Sequence, residues 1–134
     1  MTYKIPVMIL ALISALPVAA DTLKDANRML CVPGTVSHCV NDEGCSSELP
    51  ETQNIPEFIE VDLKSKTIAA TKASGEDRST PIKTQSRTEG YIYLQGLENG
   101  RTFSLVISES TGDMTFAIAA DGETAVMFGD CTPD

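Results

Sequence analysis

Hydrophobic and polar residues alternate most cleanly in the C-terminal third of this chain. Phe103, Leu105 and Ile107 share one parity of Arg101 to Ser108, and Met114, Phe116 and Ile118 share one parity of Met114 to Ala119. Successive side chains of a strand point to opposite faces, so each run predicts a strand with one buried face. Tyr91 to Leu97 and Thr124 to Gly129 complete a four-strand antiparallel meander. Between Tyr91–Leu97 and Arg101–Ser108, Asn99-Gly100 suits a type I′ hairpin, which needs positive φ at both central residues. Ser110-Thr111-Gly112-Asp113 and Asp121-Gly122 supply the other turns.

Upstream, Arg28 to Val40 also alternates, with Leu30, Val32, Val36 and Val40 on one parity and Cys31 and Cys39 on the other. Pro33-Gly34 interrupts the run and predicts a bulge, or a turn between two short strands. Asn41 to Pro56 carries turn residues and prolines, and reads as a surface loop pinned by Cys39 and Cys45. Phe58 to Leu63, Thr67 to Thr71 and Ile82 to Ser86 are further short strands; Lys64-Ser65-Lys66 is a tight turn and Ala73 to Thr80 a longer loop. Strands at such even spacing predict an all-β fold, an antiparallel meander closing into a small barrel or sandwich. A barrel leaves no exposed strand edge. No long helical pattern and no tandem repeat interrupts the series.

Ahead of the strands, Lys4, the apolar run Ile5 to Leu16 and the small residues Val18-Ala19-Ala20 have the layout of a secretory signal peptide over residues 1–20, with Asp21 as the new N-terminus. The run is short for a membrane span, carries Pro6 and Pro17, and is followed by an acid, so no stable membrane insertion is expected after cleavage. Residues 21–27 read as a loose polar arm and residues 28–134 as a single β domain. The expected location is periplasmic or secreted, where disulfides persist. Four cysteines allow three pairings. Cys31–Cys131 with Cys39–Cys45 is preferred, because the first would lock the seam between first and last strands and the second would close a small turn. Cys31–Cys45 with Cys39–Cys131 stays open. The spacings do not match zinc knuckles.

The formal net charge is −9, and losing Lys4 with the signal peptide makes the remainder more negative. Such a field repels phosphate backbones, which argues against nucleic-acid binding, and it suits a basic protein partner. His38 is the single histidine, with no nucleophile elbow or local acid to make it catalytic. Asp42-Glu43, Glu76-Asp77 and Asp121-Gly122-Glu123 fall in turns without EF-hand spacing. The chain has no Trp and no Gly-rich phosphate loop. Hence no catalytic residue, cofactor or metal site is assigned. Tyr91 and Tyr93 share parity on one strand and read either as a candidate partner surface or as one wall of the core. Met114, Met127 and the phenylalanines Phe58, Phe103, Phe116 and Phe128 are assigned to the core.

An N-terminal cysteine cluster ending in Gly44-Cys45, then Val61-Asp62-Leu63, Lys66-Thr67-Ile68, and a hairpin-rich tail closing on Phe128-Gly129-Asp130-Cys131 resembles small secreted β proteins of proteobacteria of unassigned function. The resemblance covers most of the chain beyond residue 20 and implies a fold and a compartment, not an activity. Cys31 and Cys131 also give the chain a likeness to the inhibitors of C-type lysozyme, small disulfide-closed β-barrels whose partner is a strongly basic enzyme. That family's Ser-x-Ser-Gly-x-x-Tyr loop has no counterpart: Ser108-Glu109-Ser110-Thr111-Gly112 is followed by no tyrosine, so no inhibitory residue is carried over. The expected function is a non-catalytic periplasmic or secreted binding protein. Inhibition of a basic lysozyme-type enzyme and carriage of a small apolar ligand are the alternatives.

Overall fold

Nine strands follow one another in the computed structural model, which describes residues 23–134. They are β1 (Arg28–Val40), β2 (Gly44–Glu48), β3 (Ile59–Asp62), β4 (Thr67–Ala70), β5 (Ser79–Thr88), β6 (Tyr91–Glu98), β7 (Arg101–Ser108), β8 (Asp113–Ala120) and β9 (Glu123–Pro133). The signal peptide read over residues 1–20, and the first two residues of the arm, lie outside the described residues. Every pairing is antiparallel, and β1 pairs with β9, so β1 and β3 to β9 close an eight-strand barrel. β1 can be long because two partners share one of its edges: β3 takes Arg28 to Cys31 and β2 takes Val36 to Val40. β9 runs along the other edge from Met29 to Val40.

The bulge expected at Pro33-Gly34 is present, as a register shift between Pro33 and Val36 against β9. An extra residue moves every later side chain to the opposite face. The single parity expected for β1 is therefore corrected: Met29 and Cys31 are fully buried before the shift and Val36 after it, whereas Leu30 is partly exposed and Val32 is 43% exposed. The loop expected over Asn41 to Pro56 is corrected too. It contains strand β2 and a single 3-10 turn, Pro50–Gln53. Its polar, prolyl sequence gave no apolar alternation, because β2 lies outside the barrel and buries little. The arm, expected to be loose, is tied down: Leu23 is fully buried, and its N–H bonds the Glu109 carbonyl at 2.8 Å.

The preferred disulfides are the ones formed, Cys31–Cys131 and Cys39–Cys45. Each joins directly opposed residues, β1 to β9 and β1 to β2. The turns follow their sequences. Asn99 (φ 49°) and Gly100 (φ 77°) both adopt positive φ, as a type I′ hairpin requires. Glu89 and Gly90 do the same in a β5–β6 hairpin that the sequence did not announce.

The lumen is filled. Val36, Val61, Ile92, Leu94, Leu105, Ile107, Met114 and Met127 are all essentially inaccessible to solvent, as expected where eight strands leave an interior just wide enough for side chains. Phe103 and Phe116 join them, edge to face at 5.9 Å. Phe58 and Phe128 do not: they are 39% and 69% exposed, which corrects their assignment to the core. Phe128 has even parity on β9, whose buried residues Ala125, Met127 and Cys131 are odd.

Strand direction gives the barrel two ends. The floor holds the arm, the starts of β1, β6 and β8, and the hairpins at Leu63–Lys66, Glu89–Gly90 and Glu109–Gly112. There Arg87 pairs with Glu109 at 2.7 Å and donates to the Leu23 and Ala26 carbonyls at 3.2 and 2.6 Å. The mouth holds β2, both 3-10 turns (Pro50–Gln53 and Lys72–Ser74) and the Asn99–Gly100 and Asp121–Gly122 hairpins.

Candidate functional site: a charge-free wall and a hollow mouth

The outward positions of the C-terminal meander form one continuous surface. β6 presents Tyr91, Tyr93, Gln95 and Leu97; β7 presents Thr102, Ser104 and Val106; β8 presents Thr115, Ala117 and Ala119; β9 presents Thr124, Val126 and Phe128. Cross-strand registers place these side by side: Tyr93 opposite Val106, Leu97 opposite Thr102, Ala117 opposite Val126 and Thr115 opposite Phe128. None is charged. Protein surfaces ordinarily carry charge at roughly a quarter to a third of positions, and this chain is acidic overall. The opposite wall follows the ordinary pattern, with Glu60, Asp62, Lys83 and Arg87 on β3 and β5.

The sequence left Tyr91 and Tyr93 open between surface and core; the structure puts them on the surface, 44% and 40% exposed, with ring centroids 6.2 Å apart. Leu97, 59% exposed, continues their row toward the mouth, and Phe128 stands two strands beyond β7. Depletion of charge with exposed aromatic residues is the composition of an interface core. The meander spans about 20 Å in each direction at ordinary strand spacing and rise, the scale of a transient rather than an obligate contact. Leu97 was not singled out from the sequence and Phe128 was assigned to the core, although their parity opposite the buried residues was a readable signal.

The mouth is acidic. Its loops and strand ends hold Asp42, Glu43, Glu48, Glu51, Glu57, Glu76, Asp77, Glu98, Asp121 and Glu123 against Lys72, Arg78 and Arg101. The Asp42-Glu43, Glu76-Asp77 and Asp121/Glu123 pairs thus meet at one end rather than lying scattered. Inside this rim is a cavity of about 60 Å³, walled by Ile55, Ile59, Ile68, Phe103, Phe116 and Ile118. Gly96 lies beside it because the Phe103 ring occupies the space a Cβ would fill. Arg78 and Arg101 each approach Glu98 at 3.5 Å. Burial pushes the Glu98 carboxyl up, but a hydrogen bond from Thr80 and the two guanidinium groups outweigh that and hold it below the usual carboxylate range.

His38 stands at the other side of the mouth. The acid that its own stretch of sequence lacks comes from elsewhere: Nε2 meets Glu123 Oε2 on β9 at 3.1 Å, and Nδ1 meets Glu48 Oε1 on β2 at 3.5 Å. The Glu123 hydrogen bond raises the imidazole above its usual value, with burial opposing and Glu48 adding to it. Hydrogen bonds from Ser46 and Gln53 hold the Glu48 carboxyl down at about 2. Gln53 thereby fastens the 3-10 turn beside Ile55 to β2. Both ring nitrogens face carboxylates, Nδ1 also lies 3.3 Å from the Gln53 amide nitrogen, and the hydroxyls of Ser46 and Thr52 both donate to Glu48, at 2.7 and 3.1 Å. The arrangement binds a proton and clamps a loop; it does not present an activated nucleophile.

Two disulfides fit an oxidising compartment. Among the described residues no helix is long and apolar enough to cross a membrane. Comparison with protein families, curated proteins and solved structures gives no match.

Proposed function

We propose that the chain is a non-catalytic binding module of the periplasm or the secreted space, and that it docks a basic protein on the wall formed by β6 to β9. The observation that carries this reading is the uncharged centre of the wall, the outward positions Tyr91 to Leu97, Thr102 to Val106, Thr115 to Ala119 and Thr124 to Phe128, in a chain of net charge −9. An uncharged centre with Tyr91, Tyr93, Leu97 and Phe128 supplies the apolar contact from which hot spots are built. The acids at the mouth, with Asp113 and Asp130 at the floor, frame it. They steer a basic partner and set its orientation, while the centre supplies most of the affinity. The signal-peptide layout of residues 1–20 supports the compartment.

The test is a photo-reactive amino acid placed at Tyr93, at Val126, or at Lys64 on the opposite side, in the protein expressed in its own host. One basic protein crosslinked from positions 93 and 126 and not from position 64 is the expected result. Crosslinks of equal yield from all three positions, or none from 93 and 126, sink the proposal.

The acidic mouth favours a second reading, inhibition of a basic lysozyme-type enzyme. Lysozyme assayed with a molar excess of the protein decides it, and undiminished turnover removes it. The filled lumen argues against carriage of a larger apolar ligand inside the barrel, because sites for drug-sized molecules occupy about 300 Å³ or more and the cavity between Phe103 and Phe116 holds about 60 Å³; the larger hollows are open grooves on the surface.

A further inference from the structure

The mouth holds a combination that the wall does not use: a hollow apolar cup beside a guanidinium with little to bind. We propose that the cup takes a short aliphatic carboxylate, with the alkyl tail among Ile55, Ile68, Phe116 and Ile118 and the carboxylate on Arg101.

An arginine offers five N–H donors and no acceptor. Among the described residues the Arg101 guanidinium has one ion-pair contact, Glu98 at 3.5 Å, and makes no hydrogen bond of its own. Arg78 is more fully engaged, donating to the Asn54 carbonyl and to Glu98. Glu98 is held ionised, so two guanidinium groups share one carboxylate and the edge of the cup keeps a net positive charge. This sits at the most acidic end of the molecule, where chance alone would put a carboxylate. A second carboxylate, from a ligand, would complete the pairing in the bidentate geometry that guanidinium favours.

The cup fixes the rest of the ligand. Apart from Thr80, Thr102 and the Arg78–Glu98–Arg101 group, its lining is aliphatic and aromatic, so the tail is apolar. A cavity of about 60 Å³ admits on the order of four heavy atoms, at roughly one probe sphere of 10–15 Å³ for each. With the carboxylate on Arg101 at the edge, the two- and three-carbon tails of propionate and butyrate match. An alcohol of the same length leaves Arg101 unpaired, and an amine is repelled by it. The surrounding acids oppose an anion at a distance, but at physiological salt their field decays over about 8 Å, and contact with Arg101 governs once the ligand is seated.

Methyl NMR of the isoleucines in the full-length secreted protein, titrated with sodium butyrate, tests this. Saturable shifts at Ile55, Ile68 and Ile118, with the floor methyl of Ile107 unmoved, are expected. Arg101→Gln should weaken butyrate at least tenfold, and Arg28→Gln, at the floor, should leave it unchanged. Ile118→Phe fills the cup with Arg101 in place and should abolish the shifts, so the outcome does not depend on the fold tolerating loss of the arginine. No shift at 20 mM butyrate, or equal binding of 1-butanol or butylammonium, overturns the proposal.

Discussion

At the floor of the barrel Leu23 is fully buried, Arg87 ties the arm to Glu109, and the adjoining disulfide, Cys31–Cys131, lies in the core. At the mouth the apolar residues enclose a cavity, the charged groups stand partly in water, and the disulfide Cys39–Cys45 lies on the outer face. The same strands build both ends. The difference teaches where a small barrel keeps its stability and where it is free to bind: at the floor Arg87 is taken up by the backbone of the arm and by Glu109, and at the mouth Arg101 has, among the described residues, only Glu98.

The disulfides give the sharpest way to break this contrast. Replacing Cys31 and Cys131 by alanine releases a closure spanning 100 residues, which the chain-entropy relation puts at about 4–5 kcal/mol. The same change at Cys39 and Cys45 releases one spanning 6 residues and should cost about 2 kcal/mol. Urea unfolding of both double variants measures the gap; equal losses would mean that the length of the released loop does not set the cost of opening the seam.

Leu23→Ala should follow, at about 2–4 kcal/mol, because a fully buried side chain leaves a cavity. Ile118→Ala, at the partly open mouth, should cost about 1 kcal/mol. Guanidinium midpoints of the pair report whether the arm is a structural plug. An unaltered midpoint for Leu23→Ala would return the arm to the loose segment its sequence suggests.

Arg87→Gln should cost about 1–3 kcal/mol, because it leaves the largely buried Glu109 carboxylate without its partner. Arg78→Gln, at the better-solvated mouth pair, should cost less than about 1 kcal/mol. A double-mutant cycle with Glu109→Gln and Glu98→Gln isolates the two pairings.

The smallest effect is the pH dependence of the mouth network. His38 is raised above its ordinary value of 6.5 in the folded protein, so its contribution is complete below pH 6.5 and disappears as pH rises through the folded value. Glu48 is lowered from 4.5 to about 2, so its contribution is present above pH 4.5 and disappears as pH falls toward 2. The network is therefore strongest between pH 4.5 and 6.5. Urea midpoints should fall modestly above that window, and His38→Gln should flatten the fall. A fall of the same size in His38→Gln would assign it to other groups.

The meander was legible because each signal was local. Phe103, Leu105 and Ile107 alternate without interruption, and Asn99-Gly100 states its own turn. β1 was misread after Pro33 because whether a residue is added to one strand of a pair depends on the partner strand, which lies about 90 residues away in β9. β2 was missed because it pairs without burying an apolar face. Phe58 and Phe128 were placed in the core by residue type, when parity and position govern. Of the candidate site, Tyr91 and Tyr93 were visible; the His38–Glu123 and Arg101–Glu98 clusters join residues whose neighbourhood only strand pairing creates.

The sequence by itself determined the all-β class, the antiparallel hairpins of the C-terminal half and the face each strand there buries, because alternation and turn chemistry are properties of neighbouring residues. It favoured one disulfide pairing without deciding it. Tertiary structure decided the closure of β1 on β9, the sealing of the floor by Leu23, and the gathering of the uncharged residues on one wall and the acids at the mouth. Those depend on register and on the circular order of strands, which arise from the balance of all the pairings at once and from no single stretch of chain.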